Sequence, residues 1–129
     1  MEGLFLTKDD NFKIDFVIAK DAEGKLLVAK NKQDMLNEHK DVNVDDIENH
    51  WAVFKLPSFS DYVKTNAKGM TTNMDGELEL NLWALRQSRM ENLLLSWSFE
   101  NDINSENVGS LSPVVAMFLM EQVEDQIIM

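Results

Sequence analysis

The sequence predicts an α+β fold: a small antiparallel sheet, made of an N-terminal hairpin plus one strand, packed against about three helices. Three observations point there. Two apolar stretches near the N-terminus are joined by a Gly-ended connector of hairpin length. After Pro57 the apolar spacing changes to steps of three and four residues. Near the C-terminus, Ser112-Pro113 announces a last helix.

Lys13 to Lys20 alternates imperfectly, with Ile14, Phe16 and Ile18 on one side, and Lys25 to Lys30 is short and aliphatic. Asp21-Ala22-Glu23-Gly24 lies between them, so a β-hairpin is expected. Asn31 to Asn49 is polar and acidic, with Met35 and Leu36 as its only early apolar pair. It reads either as a connector with one short helix or as a mobile segment. His50-Trp51-Ala52-Val53-Phe54-Lys55-Leu56 reads as a strand that ends at Pro57.

Beyond that proline, Ser58 or Ser60 is placed to cap a short helix through Asp61-Tyr62-Val63 that stops near Gly69. Met70 to Gly76 reads as a polar loop. From Glu77, the positions Leu78, Leu82, Leu85, Arg86 (through its aliphatic stem), Leu93 and Trp97 follow helical steps. Leu80, Trp83, Met90 and Leu94 widen that stripe, and Glu77 and Glu79 suit a helix N-terminus, so a helix central to the core is expected. Phe99 to Gly109 reads as a loop. Ser112 as N-cap and Pro113 at the first helical position open a helix that runs to Ile128, with Val115, Phe118, Leu119, Val123 and Ile127 on one face. No repeat, low-complexity tract or linker interrupts residues 1–129, which read as a single domain.

Charge and composition bound the function. An apolar fraction of 44% with 27% charged residues is that of a globular chain. Cysteine is absent, which excludes disulfides, thiolate metal sites and cysteine catalysis. The N-terminal run Gly3-Leu4-Phe5-Leu6 lacks a basic n-region and is too short for a signal peptide, and no stretch is long enough for a membrane helix, so a soluble, unsecreted protein is expected. The formal net charge is −11, and Arg89 is the last basic residue. Glu91, Glu100, Asp102, Glu106, Glu121, Glu124 and Asp125 follow it with no cation to offset them. Such a surface repels nucleic acid and anionic membranes and fits a basic partner, or serves solubility alone.

The motifs of site chemistry fail on named positions. His39 and His50 stand eleven residues apart with no metal-ligand spacing, and Asp45, Asp46 and Glu48 before His50 read as solvated loop acids. Asp41 to Asp45 begins like a calcium loop, but Asp46 stands where glycine is needed and Ala52 where the closing glutamate is needed. Thr71 to Gly76 keeps its glycine but starts on Thr71 and ends on Leu82. No nucleophile elbow, phosphate loop or dinucleotide fingerprint occurs. With no cofactor, no metal site and no catalytic residue indicated, binding rather than catalysis is expected.

Methionine is the remaining unusual feature, at eight residues, with Met117, Met120 and Met129 in or after the last helix. Its flexible, polarizable side chain adapts to varied apolar surfaces, although it more often fills gaps in a core. Val114, Met117, Ile128 and Met129 fall partly off the Val115–Phe118–Val123 face, so this helix is either deeply buried or offers a second face to a partner. Candidate partner-binding residues are therefore Met117, Phe118, Met120, Val123, Ile127, Ile128 and Met129.

The C-terminal half also carries a resemblance. Leu93-Leu94-Leu95-Ser96-Trp97-Ser98-Phe99, a short acidic and polar connector, Glu106 to Pro113, and an apolar-acidic helix to Ile127 together resemble the tail assembly chaperones of tailed bacteriophages. Phe54 to Tyr62 looks like the strand, proline and helix start found upstream in that family. The likeness spans roughly residues 50–128 and is a pattern of residue types rather than a signature. It implies a non-enzymatic protein of the host cytoplasm that binds the tape measure protein and the tail tube protein during assembly and is absent from the virion. A longer frameshifted form is common in such families. Two other readings stand beside it: a structural component kept in the particle (neck, baseplate or tail), and an acidic inhibitor that mimics nucleic acid.

Overall fold

The computed structural model describes residues 4–7, 9–72 and 74–127. It is an α+β fold built on a four-stranded antiparallel sheet. The N-terminal hairpin is formed by β1 (Asn11–Lys20) and β2 (Leu26–Ala29), paired from Val17↔Ala29 to Lys20↔Leu26. Its turn is made by two residues. Asp21 accepts, through Oδ1, the backbone N–H groups of Glu23 and Lys25 at 2.9 Å each, and Gly24 takes φ +84°, which a side chain disfavours.

The Asn31 to Asn49 segment is a connector with one short helix. Asn31 caps α1 (Lys32–Glu38) by accepting from Asp34 N–H at 2.8 Å, and Met35 is fully buried. A 3-10 turn at Val44–Asp46 then leads into β3 (Glu48–Lys55), which begins two residues before the expected strand. β3 lies along the other edge of β1, in register from Asn11↔Lys55 to Ile18↔Glu48.

Pro57 ends the strand path, and Ser58 opens α2 (Phe59–Gly69) with a complete capping box. Ser58 Oγ accepts from Asp61 N–H at 3.3 Å, and the Asp61 carboxylate accepts from Ser58 N–H at 2.9 Å.

The expected polar loop and long helix after Gly69 are corrected. Met70–Thr72 (β4) and Leu78–Leu80 (β5) pair antiparallel as a small arm, turning at Gly76 with φ +80°. Glu77 and Glu79 therefore belong to this arm and not to a helix N-terminus. The helix α3 is Leu82–Leu93, capped by Asn81, which accepts from Ala84 N–H at 3.1 Å. It stops where Leu94 turns extended, and Leu94–Trp97 becomes β6. β6 adds to the free edge of β3 at Ala52↔Trp97, Val53↔Ser96 and Phe54↔Leu94, with a bulge between Val53 and Phe54, so the sheet order is β2-β1-β3-β6. Short apolar runs fit either period, and the open ladder edge of β3 decided this one.

Phe99 to Gly109 contains α4 (Ser105–Gly109), a short helix capped by Asn104. The last helix, α5 (Pro113–Ile127), begins with Ala116 N–H donating to the Ser112 carbonyl at 2.9 Å. Three longer helices, α2, α3 and α5, thus accompany the short α1 and α4.

The imperfect alternation of β1 has a physical cause, because part of the strand is covered on both faces. Ile14 and Phe16 point into the larger cluster, with Ala52 and Phe54 of β3, Met90 and Leu93 of α3, and Leu119 and Val123 of α5. Val17 and Ala19 point the other way, onto Met35, Val42 and Ile47. No helix among the described residues is long and apolar enough to cross a membrane.

Candidate protein-binding surface

Apolar side chains left outside these clusters concentrate between Phe59 and Trp83. On α2, Phe59 and Val63 are one helical turn apart and both exposed. On the arm, Met70 opposes Leu80 and Thr72 opposes Leu78, so these side chains share one face. That face is bare: Leu78 is 71% and Leu80 61% exposed, and Met74 at the tip is fully exposed. Glu79 occupies the opposite face by strand alternation. The base of the arm is held firmly, since Asn81 N–H donates to the Gly69 carbonyl at 2.7 Å and Gly69 packs directly on Leu85.

Immediately after the arm, Trp83 stands 61% exposed on the first turn of α3. Its ring lies 5.5 Å from the Arg86 guanidinium, a cation–π contact. Arg86 is fixed in turn by Glu124 of α5, with Nε–Oε1 at 2.9 Å and Nη2–Oε2 at 3.4 Å, and Arg89 donates to the same Oε1 at 3.3 Å. This two-arginine clamp joins α3 to α5. Beside it the helices leave an apolar groove of about 340 Å³, with Met90 and Met120 as its floor and Trp83, Met117, Leu111 and Pro113 at its walls.

The residues singled out from the last helix separate accordingly. Met117 is 41% exposed and opens into the groove, and the buried Met120 forms part of its floor. Phe118 is half-buried, its ring 6.1 Å from that of Phe16. Val123 is fully buried in the larger cluster, and the half-buried Ile127 packs against it and accepts at its carbonyl from Tyr62 Oη at 3.4 Å. The core thus takes up Val123 and most of Phe118 and Ile127, leaving Met117 and Met120 facing the groove. Ile128 and Met129 lie outside the described residues. Sequence reasoning missed the arm, because Leu78 and Leu80 were placed in the core stripe of a helix. The alternation Leu78-Glu79-Leu80 just after Gly76 was the signal for a strand.

A second polar constellation joins β3 to β6. Ser98 Oγ accepts from Trp51 N–H at 3.0 Å and is hydrogen-bonded to His50 Nδ1 at 2.8 Å, while His50 Nε2 lies 3.3 Å from Glu48 Oε2. The His50 ring also packs against Phe99, with centroids 4.8 Å apart. The order serine, histidine, carboxylate is that of a hydrolytic triad. Its setting is that of a strand end: Ser98 N–H also donates to the Trp51 carbonyl at 2.9 Å, and the Glu48 side chain is 72% exposed. These bonds extend the β3–β6 ladder past Trp97. Among the described residues, no three histidine or acidic side chains gather as metal ligands.

No family model, no curated protein and no solved structure matches this chain.

Proposed function

We propose that this chain acts by binding another protein, as an assembly chaperone that covers apolar surface on tail components before they assemble. The observation that carries this reading is the bare apolar face of the β4–β5 arm, continued by Trp83 toward the groove of α3 and α5. Covering a leucine, valine or phenylalanine side chain is worth about 1.5–3 kcal/mol, so Leu78 and Leu80 together offer a partner several kcal/mol of apolar burial. A monomer gains nothing from keeping such side chains in water, and exposed apolar patches of this kind mark interaction surfaces.

The resemblance over residues 50–128 supplies the partners: the tape measure protein and the tail tube protein, met in the host cytoplasm. The acidic surface supports this reading as well, because a chain of charge −11 stays dispersed while it presents an apolar arm. Catalysis and cofactors have no part in it.

Co-expression with tape measure and tail tube proteins tests the reading. The parent chain is expected to co-purify with at least one of them, and the paired change Leu78→Ser and Leu80→Ser to release it while the fold survives. Parent chain that purifies alone overturns the proposal. Mass spectrometry of purified particles decides against the alternative of a retained neck, baseplate or tail component if the chain is absent there.

A further inference from the structure

The groove between α3 and α5 has a chemistry more specific than that of the apolar arm, because its surrounding charges and the backbone bonding of its walls both restrict what fits it. Three of its residues, Met90, Met117 and Met120, are methionines, whose unbranched side chains adjust to an incoming apolar surface. The groove is walled largely by helices, whose main-chain groups are already bonded within their own turns. An occupant must therefore satisfy its own backbone, which an α-helix does and an extended strand does not.

Charge selects the kind of helix. Arg86, the cation that lines the groove among the described residues, pairs with Glu124, which Arg89 also engages, so this clamp keeps one net positive charge against the acids around it. The helices around the groove also carry Glu106 on α4 and Glu121 and Asp125 on α5. None of these three acids has an ion-pair partner among the described residues. Glu91 on α3 is hydrogen-bonded to Gln87 and Ser105, without a cation. Glu124 and Asp125 also sit at the C-terminal end of α5, where no basic residue occurs and where the helix dipole disfavours negative charge. Glu124 is held there by its arginines, whereas Asp125 has no such pair, and an incoming cation would be attracted to it.

We infer that this groove seats a basic amphipathic helix of the partner, its apolar stripe against Met90, Met117, Met120 and Trp83 and its Lys or Arg residues toward Glu121, Asp125 and Glu106. The inference rests on the proposed partner-binding role and assigns its seat and its charge.

The test uses the full chain and three fluorescently labelled synthetic helices of equal length. One has a leucine stripe flanked by lysines, one has the same stripe flanked by glutamates, and one is a scrambled lysine peptide. Fluorescence anisotropy is expected to show the lysine helix binding at least ~10-fold more tightly than either control, with affinity falling as salt rises. Trp83→Ala and Met117→Ser are each expected to weaken it by about 10-fold while thermal unfolding stays near that of the parent, since neither side chain belongs to the buried clusters. The pair Glu121→Lys and Asp125→Lys is expected to reverse the preference toward the glutamate helix.

Equal binding of the lysine and glutamate helices, or binding unaffected by Trp83→Ala and Met117→Ser, overturns the inference. Failure of the lysine helix to bind overturns it too. If the chain nevertheless co-purifies with tail proteins through Leu78 and Leu80, the proposed function stands and only this assignment falls.

Discussion

Gly69→Ala isolates the contact that sets the arm. An alanine Cβ at position 69 would lie 2.9 Å from both Leu85 Cβ and Cδ1 and 3.3 Å from Leu85 Cα. The first and last of these atoms are held by the α3 backbone, so a change of rotamer does not relieve the overlap. Two effects oppose each other. Alanine favours a helix over glycine by about 0.8–1 kcal/mol in an interior position, and less at a final residue such as this one. Overpacking a close contact costs about 1–3 kcal/mol. The clash wins, and a net loss of about 1–2 kcal/mol is expected. Urea denaturation followed by tryptophan fluorescence measures it. A double-mutant cycle with Leu85→Ala then separates the causes. That change alone costs about 2–5 kcal/mol as a buried truncation; in the Gly69→Ala background it removes the overlap at Cδ1 and keeps those at Cβ and Cα. The double variant is expected to fall short of additivity by less than about 1 kcal/mol, the share of the clash carried by Cδ1. A Gly69→Ala protein as stable as the parent would refute the claim that α2 and α3 meet backbone against side chain at this point.

Asp61→Asn removes the capping carboxylate of α2 and its 3.0 Å ion pair with Lys55, and is expected to cost about 1–3 kcal/mol at neutral pH. Burial alone would raise the Asp61 carboxyl, but the Ser58 backbone N–H, the Lys55 ammonium and the Ser58 hydroxyl outweigh it and hold the group below the ordinary carboxylate range. With its folded pKa lowered, Asp61 contributes stability that is present above the unfolded pKa of about 3.9 and is lost as pH falls through the folded value. Thermal melts from pH 7 to pH 3 should therefore show the parent and Asp61→Asn proteins converging only below about pH 4. Glu124→Gln leaves the Arg86 and Arg89 guanidiniums without their shared carboxylate, and a loss of about 1–3 kcal/mol in chemical denaturation is expected. Val123→Ala, at a fully buried position under the sheet, is expected to lower the urea midpoint by an amount equal to about 2–4 kcal/mol, whereas Val114→Ala on the exposed side of α5 should stay within about 0.5 kcal/mol.

Local chemistry was the readable part of this chain. The Asp21 to Gly24 connector, the Ser58 cap and the Ser112-Pro113 start each act through atoms within a few residues, and each marks its element in the structure. Where the outcome depends on a distant partner, the sequence was ambiguous. Leu94 to Trp97 follows helical steps as well as strand steps, and only the free edge of β3 makes it a strand. The same ambiguity hid the arm, because Leu78 and Leu80 suit a helix stripe until Asn81 is recognised as the cap of α3. The candidate site was half visible. Met117 and Met120 were marked by the wide apolar arc of α5, but their neighbours Trp83 and Met90 come from a helix whose placement no local signal reveals. Phe118, Val123 and Ile127 share that arc and turn inward, since only the packed sheet distinguishes one side of it from the other.

The order in which the sheet acquires its cover has a consequence for synthesis. β1 to β3 are complete by Lys55, yet the face bearing Phe16, Ala52 and Phe54 is sealed by α3 and finally by α5, which ends at Ile127. At 5–20 residues per second, the last of that cover arrives roughly 4–14 s after the strands it protects. Through that interval the nascent sheet carries an uncapped apolar face and, until β6 is made, an unpaired β3 edge. Acidic residues are numerous from the first ten positions onward, so the growing chain carries its own electrostatic repulsion against neighbouring copies while it waits for its final helix.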